Sequence, residues 1–143
     1  MTSPASSPSD LQAGSVSPAD RTGSAFRAAV ESGDMAAAIA LLADDVVFES
    51  PIVHRRYLGR DAVAPVLFAV GTVFEDFRYT AEFGSPDGHV LRFSARVDDR
   101  DIDGVDILTV DEAGRIVAFA VMVRPYSAAT ALRARMAALL TGS

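Results

Sequence analysis

Four runs with the two-residue alternation of half-buried strands follow one another at residues 78–83, 89–98, 101–110 and 115–124, separated only by short turns. This succession narrows the possible folds more than any other feature of the chain. "SPDG" at 85–88 and "DEAG" at 111–114 carry the residue types that tight turns use, so the last three runs are expected to pair as an antiparallel meander. Such a sheet presents an apolar face that must be covered, and the remaining segments have helical periodicity.

Ser17-Pro18-Ala19-Asp20 offers a capping serine, a proline at the first helical position and an acid three residues on, and Phe26, Ala29 and Val30 then fall on one face. Gly33 closes this helix, and Asp34 caps a second in which Met35, Ile39 and Leu42 recur at helical spacing. A short strand at 46–50 and an irregular connection at 51–58 lead to a third helix over about 59–74, carrying Val63, Val66, Leu67 and Val70, with Arg60 and Asp61 as a local cap and ion pair. Ser127 caps a last helix through residue 140. Its apolar face, Leu132, Met136, Leu139 and Leu140, would cover a pocket mouth or meet a second subunit. Helices followed by antiparallel strands give a single α+β domain over residues 17–141, with the helices against one face of a curved sheet. Residues 1–16, rich in serine with Pro4 and Pro8 and nearly devoid of apolar side chains, read as a disordered tail.

Composition excludes several functions. The absence of cysteine closes disulfide and thiolate chemistry, and His54 and His89 stand in no metal-ligand spacing, so no metal site is expected. A net charge of −6 without a basic stripe argues against nucleic acid. No apolar run approaches the roughly 18 residues of a bilayer span, and "MTSPASSPSD" lacks the features of a secretory signal. The expectation is a soluble, cytoplasmic protein with no membrane partner. No pattern signals a cofactor.

"VESGDMAAAIALLADDVVFESP", "HRRYLGRDAV" and "VDILTVDEAGRIVAF" resemble segments of the nuclear transport factor 2-like superfamily, which includes ketosteroid isomerases, limonene epoxide hydrolases and SnoaL-like polyketide cyclases. The order of elements is similar too. The resemblance implies a cone-shaped sheet wrapped around helices, with an apolar pocket open at one end. Alternation along the strands, anchored on that match, turns Leu91, Phe93, Ala95, Asp106, Leu108, Phe119, Val121 and Val123 inward, and Arg92, Ser94, Arg96 and Asp98 outward. Phe26, Val30, Phe48, Tyr57 and Val66 would complete the lining.

Shifting a double bond beside a carbonyl requires a carboxylate to carry the proton and donors to hold the enolate oxygen, in a water-poor cavity. A gapless match through "GDMAAAIALLADDVVFESP" places Ser50 where the isomerases hold their basic aspartate, and Phe26 where their donor tyrosine stands. Asp106, in "GVDILTV", matches the aspartic acid that the isomerases keep neutral in an apolar site. The cyclase and epoxide hydrolase branches imply an acid on the last long strand, where this chain has Val121 within "IVAFAVMV". Arg96-Val97-Asp98 resembles the hydrolases' Arg-x-Asp motif but faces outward in this register.

The sequence therefore reads as a pocket protein for a small, largely apolar molecule. Asp106 is its polar anchor or acid-base group, and His54 is the substitute base, since a histidine titrates near neutral pH. The candidate lining is Phe26, Phe48, Ser50, Tyr57, Leu91, Phe93, Leu108, Phe119, Val121 and Val123, with Ser50 also read as a turn cap before Pro51. One alternative is a cofactor-free isomerase, cyclase or epoxide-opening enzyme using Asp106. Another is a homodimeric interaction module with no ligand, a homodimer being expected from the resemblance.

Overall fold

The computed structural model describes residues 16–141. The serine-rich tail lies outside the described residues apart from Val16. Helix α1 (Pro18–Glu31) begins as its sequence dictates, with Ser17 Oγ accepting the Asp20 amide at 3.0 Å and Pro18 in the first turn. Gly33, at φ 80°, takes the left-handed turn that ends it. Asp34 then caps α2 (Met35–Ala40) by accepting the Ala37 amide at 3.0 Å.

Leu42 is not part of that helix. It opens β1 (Leu42–Glu49), pairs with Ile116 and is fully buried, so the strand starts four residues earlier than periodicity suggests. The connection after β1 contains a strand the sequence does not reveal, β2 (Arg56–Leu58), antiparallel to residues 47–49. Three residues are too few to display a period; across the pair Tyr57 packs its ring 6.0 Å from that of Phe48 and Arg56 bonds to Glu49 at 3.2 Å. Helix α3 (Arg60–Val73) follows Gly59. Arg60 does not pair with Asp61 as expected: its guanidinium reaches back across the fold to the Leu42 carbonyl at 2.7 Å and Asp44 at 2.9 Å, tying the helix start to β1.

Strands β3 (Glu75–Ser85), β4 (Gly88–Val97), β5 (Arg100–Val110) and β6 (Ile116–Arg124) form the expected meander, and α4 (Tyr126–Thr141) completes the chain. The sheet order is β2-β1-β6-β5-β4-β3. All neighbours are antiparallel except β1 and β6, which run parallel, so the sheet is mixed rather than wholly antiparallel. Parallel pairing is possible here because about 65 residues, including α3, separate the two strands.

The inward faces agree with alternation. Leu91, Phe93, Ala95 and Val97 of β4 are buried, as are Ile102, Gly104, Asp106, Leu108 and Val110 of β5. Arg92 and Arg96 are exposed, Ser94 is half-buried, and Asp98 lies in the turn after the strand. Arg96 bonds to Asp76 at 2.7 Å and Asp98 to Arg135, so the Arg-x-Asp motif is spent on surface ion pairs. His89 is buried against α1, with Nε2 2.8 Å from Glu82. Gly23 makes this possible, because any side chain there would run into the imidazole. No helix of the described residues is long and apolar enough to cross a membrane.

Candidate functional site

Helices and sheet part at one end to leave a cavity of about 1000 Å³. Nine of the chain's eleven aromatic residues line it, and five of these, Phe26, Phe48, Tyr79, Phe93 and Phe119, are at the same time buried in the hydrophobic core. Eight of the nine form two groups. Phe119 of β6 meets Phe26 of α1 and Phe48 of β1 edge-on at 5.4 and 5.2 Å, with Tyr57 beyond Phe48. Opposite, Phe77 stacks on Phe93 at 5.0 Å and meets Tyr79 edge-on at 4.9 Å, with Phe74 next to both phenylalanines. Such offset and edge-to-face contacts suit the ring quadrupoles and hold the walls in place. Gly104 contributes by having no side chain: it pairs with Phe93, and an added Cβ would collide with that ring.

Asp106 is the one acid on the buried face of β5 and the only carboxyl group buried among the described residues. Its strand neighbours are Leu91 and Val121. The Tyr79 hydroxyl donates to Asp106 Oδ2 at 2.8 Å, and no arginine reaches it. Burial pushes the Asp106 carboxyl up to about 7, against a smaller downward effect of the Tyr79 hydrogen bond. Burial, and then the nearby Asp106 charge, also raise the tyrosine's pKa far above its ordinary value, so its proton stays in place. The pair thus offers one permanent O–H donor and one carboxyl that changes state near neutral pH, in a wall otherwise almost wholly apolar.

Of the expected lining, Phe26, Phe48, Ser50, Tyr57, Phe93, Phe119 and Val121 border the cavity with Asp106, as do Val30 and Val66. Leu91, Leu108 and Val123 do not. Leu91 and Leu108 face the right way but are buried to within 1% exposure in the core, and Val123 packs instead with Ala128 and Leu132. His54 is not brought to Asp106. It is exposed in the β1–β2 connection and borders a separate hollow beside β6 with Met122 and Val123. Ser50 Oγ accepts the Ile52 amide at 3.0 Å, the turn-capping role weighed for it.

Tyr79 is the principal residue that sequence reasoning missed. It lies between two register shifts in β3, and Asp76 in the first of them has φ 53°, so the two-residue period that exposes facing elsewhere is broken. Leu132, Met136 and Leu140 of α4 also line the cavity, so the last helix forms part of its wall. Among the described residues no three histidine or acidic side chains converge to hold a metal ion.

The profile of the SnoaL-like domain matches residues 24–119, from mid-α1 to mid-β6. The chain belongs to the SnoaL-like domain family. Among solved structures, a steroid delta-isomerase from Pseudomonas aeruginosa is 39% identical, with a TM-score of 0.83 over 87% of this chain and 93% of that one. A protein with a cystatin-like fold from Silicibacter pomeroyi DSS-3 is 41% identical, with a TM-score of 0.78 over 82% and 83% of the two chains. RV0760c of Mycobacterium tuberculosis, solved in complex with estradiol-17beta-hemisuccinate, shares the fold at 23% identity, with a TM-score of 0.60 over 76% of this chain and 99% of that one. No curated protein matches the chain. These likenesses agree with the nuclear transport factor 2-like, ketosteroid isomerase-like fold implied by the sequence.

Proposed function

We propose that this SnoaL-like protein binds a small, largely apolar molecule in the aromatic cavity and orients it by one oxygen held at Asp106 and Tyr79. The observation that carries this reading is the buried pair itself. An acid in an apolar wall is costly to bury, yet here it stands with a single hydrogen-bond donor at a cavity of ligand size. Below about pH 7 the neutral carboxyl can donate its own proton to a ligand carbonyl or hydroxyl. The open cavity and the lack of an arginine at Asp106 weigh against an interaction module in which the interior is incidental.

A second reading, an isomerase, cyclase or epoxide-opening activity, is favoured by one fact: a carboxyl titrating at about 7 can both take and return a proton at neutral pH. The likeness to a steroid delta-isomerase supports the isomerase form. Ser50 at the position of the isomerases' base argues for binding without turnover, since Asp106 would then have to act as the sole proton carrier. Homodimer formation belongs to the same proposal, supported by Met122, which is 60% exposed on the sheet face away from the cavity.

Thermal shift with a panel of steroid, terpenoid and polyketide-like compounds, on wild type and Asp106→Asn, tests both readings. Stabilisation that weakens in the variant supports an anchored ligand, and product formed only by wild type makes the protein an enzyme. A panel that stabilises neither protein removes the binding proposal.

A further inference from the structure

We propose that the mouth of the cavity is an anion subsite formed by Arg55 and Arg133. Its ligand is then amphipathic, with an apolar body, an oxygen at the Asp106 end and a carboxylate or sulfate at the mouth. The inference rests on the cavity being a ligand site, and it specifies the class of molecule.

The chain has no lysine, so its thirteen permanently cationic side chains are all arginines. Nine of the thirteen donate to an acidic side chain or a backbone carbonyl, from Arg21 on the Val16 carbonyl to Arg135 on Asp98. Among the described residues Arg55, Arg92, Arg100 and Arg133 have no such acceptor. Arg92 stands on the outer face of β4 and Arg100 at the far end of β5, whereas Arg55 and Arg133 both line the cavity.

The remaining charged lining does not neutralise them. Asp34 is engaged as the cap of α2, and Asp106 stands buried in the β5 wall. Arg55 is held by stacking over the Tyr57 ring, 5.0 Å from its centroid, which leaves the guanidinium edge free to donate. Arg133 follows Leu132 and precedes Met136 and Leu140 on the same stripe of α4, all three of which line the cavity. Two planar donors with unfilled capacity at the rim of an apolar hollow match an oxyanion on an apolar body. In a chain of net charge −6 they are a local exception to a field that would otherwise repel anions.

The test uses matched pairs: a steroid alcohol and its sulfate ester, and a long-chain alcohol and the corresponding carboxylic acid. Affinity is measured calorimetrically for wild type, Arg55→Gln, Arg133→Gln and the double variant at low and high salt. Wild type is expected to prefer the anionic member by about tenfold at low salt. That ratio should fall towards one in the double variant, while added salt weakens only the anionic members. Equal affinity for both members in wild type, or a preference that survives in the double variant, overturns the subsite while leaving the cavity reading intact. If no member of either pair binds, the cavity reading fails and the subsite with it.

Discussion

Replacing Asp106 with asparagine should stabilise the protein, and only above the acidic range. In the folded chain burial lifts this carboxyl from 3.8 to about 7, and the Tyr79 hydroxyl 2.8 Å away offsets only part of the lost hydration. The folded state therefore holds the proton more tightly than the unfolded state. The stability this group contributes is complete below about pH 4 and is lost as pH rises through about 7. A separation of about 3 pH units at 1.36 kcal/mol each amounts to about 4 kcal/mol. Asparagine keeps the shape and can still accept the Tyr79 proton but never ionises. The variant should match wild type only below about pH 4, gain on it by about 1.4 kcal/mol per pH unit between about pH 4 and about pH 7, and exceed it by about 4 kcal/mol above that, on the order of 10 °C in Tm for a domain of this size. Urea denaturation of both proteins across about pH 5 to about pH 9 isolates this group, because every other titration is shared. A stability difference that does not vary with pH would refute the argument that Asp106 is desolvated in the wall.

Two further outcomes follow from the same geometry. Tyr79→Phe removes the one donor that favours the ionised carboxyl, so the Asp106 titration followed by carbon-13 NMR should move above about 7, and an unchanged or lower midpoint would contradict the pairing. Gly23→Ala drives a methyl group into the ring of His89, which is 5% exposed and tied to Glu82, so a loss of about 1–3 kcal/mol is expected in urea denaturation. A neutral effect there would mean that the imidazole is free to move.

The fold was largely legible because its signals are local. Caps at Ser17 and Asp34, and turns at 85–88 and 111–114, mark where elements begin and end, while alternation in β4, β5 and β6 assigns faces residue by residue. Legibility failed where tertiary pairing overrides local pattern. Leu42 continues a helical period but is captured by Ile116, and β2 is held by cross-strand contacts to β1, Tyr57 with Phe48 and Arg56 with Glu49, that a three-residue run cannot announce. The site divided in the same way. Asp106 could be placed from its strand phase once the family resemblance anchored the register, whereas its partner Tyr79 was hidden by the bulges of β3. His54 shows the limit of chemical type as a guide: a titratable residue four positions beyond Ser50 stands exposed and borders a different hollow.

In the proposed complex a ligand lies in the aromatic cavity with an oxygen at Asp106 and Tyr79. The most direct measurement is the set of intermolecular nuclear Overhauser effects from the tightest-binding compound of the panel to the assigned aromatic rings. Contacts to Tyr79, Phe93 and Phe119 together, with the oxygen-bearing end of the compound nearest Tyr79, are the result expected. Contacts confined to surface residues such as Met122 and Leu58, with none to those three rings, would contradict it.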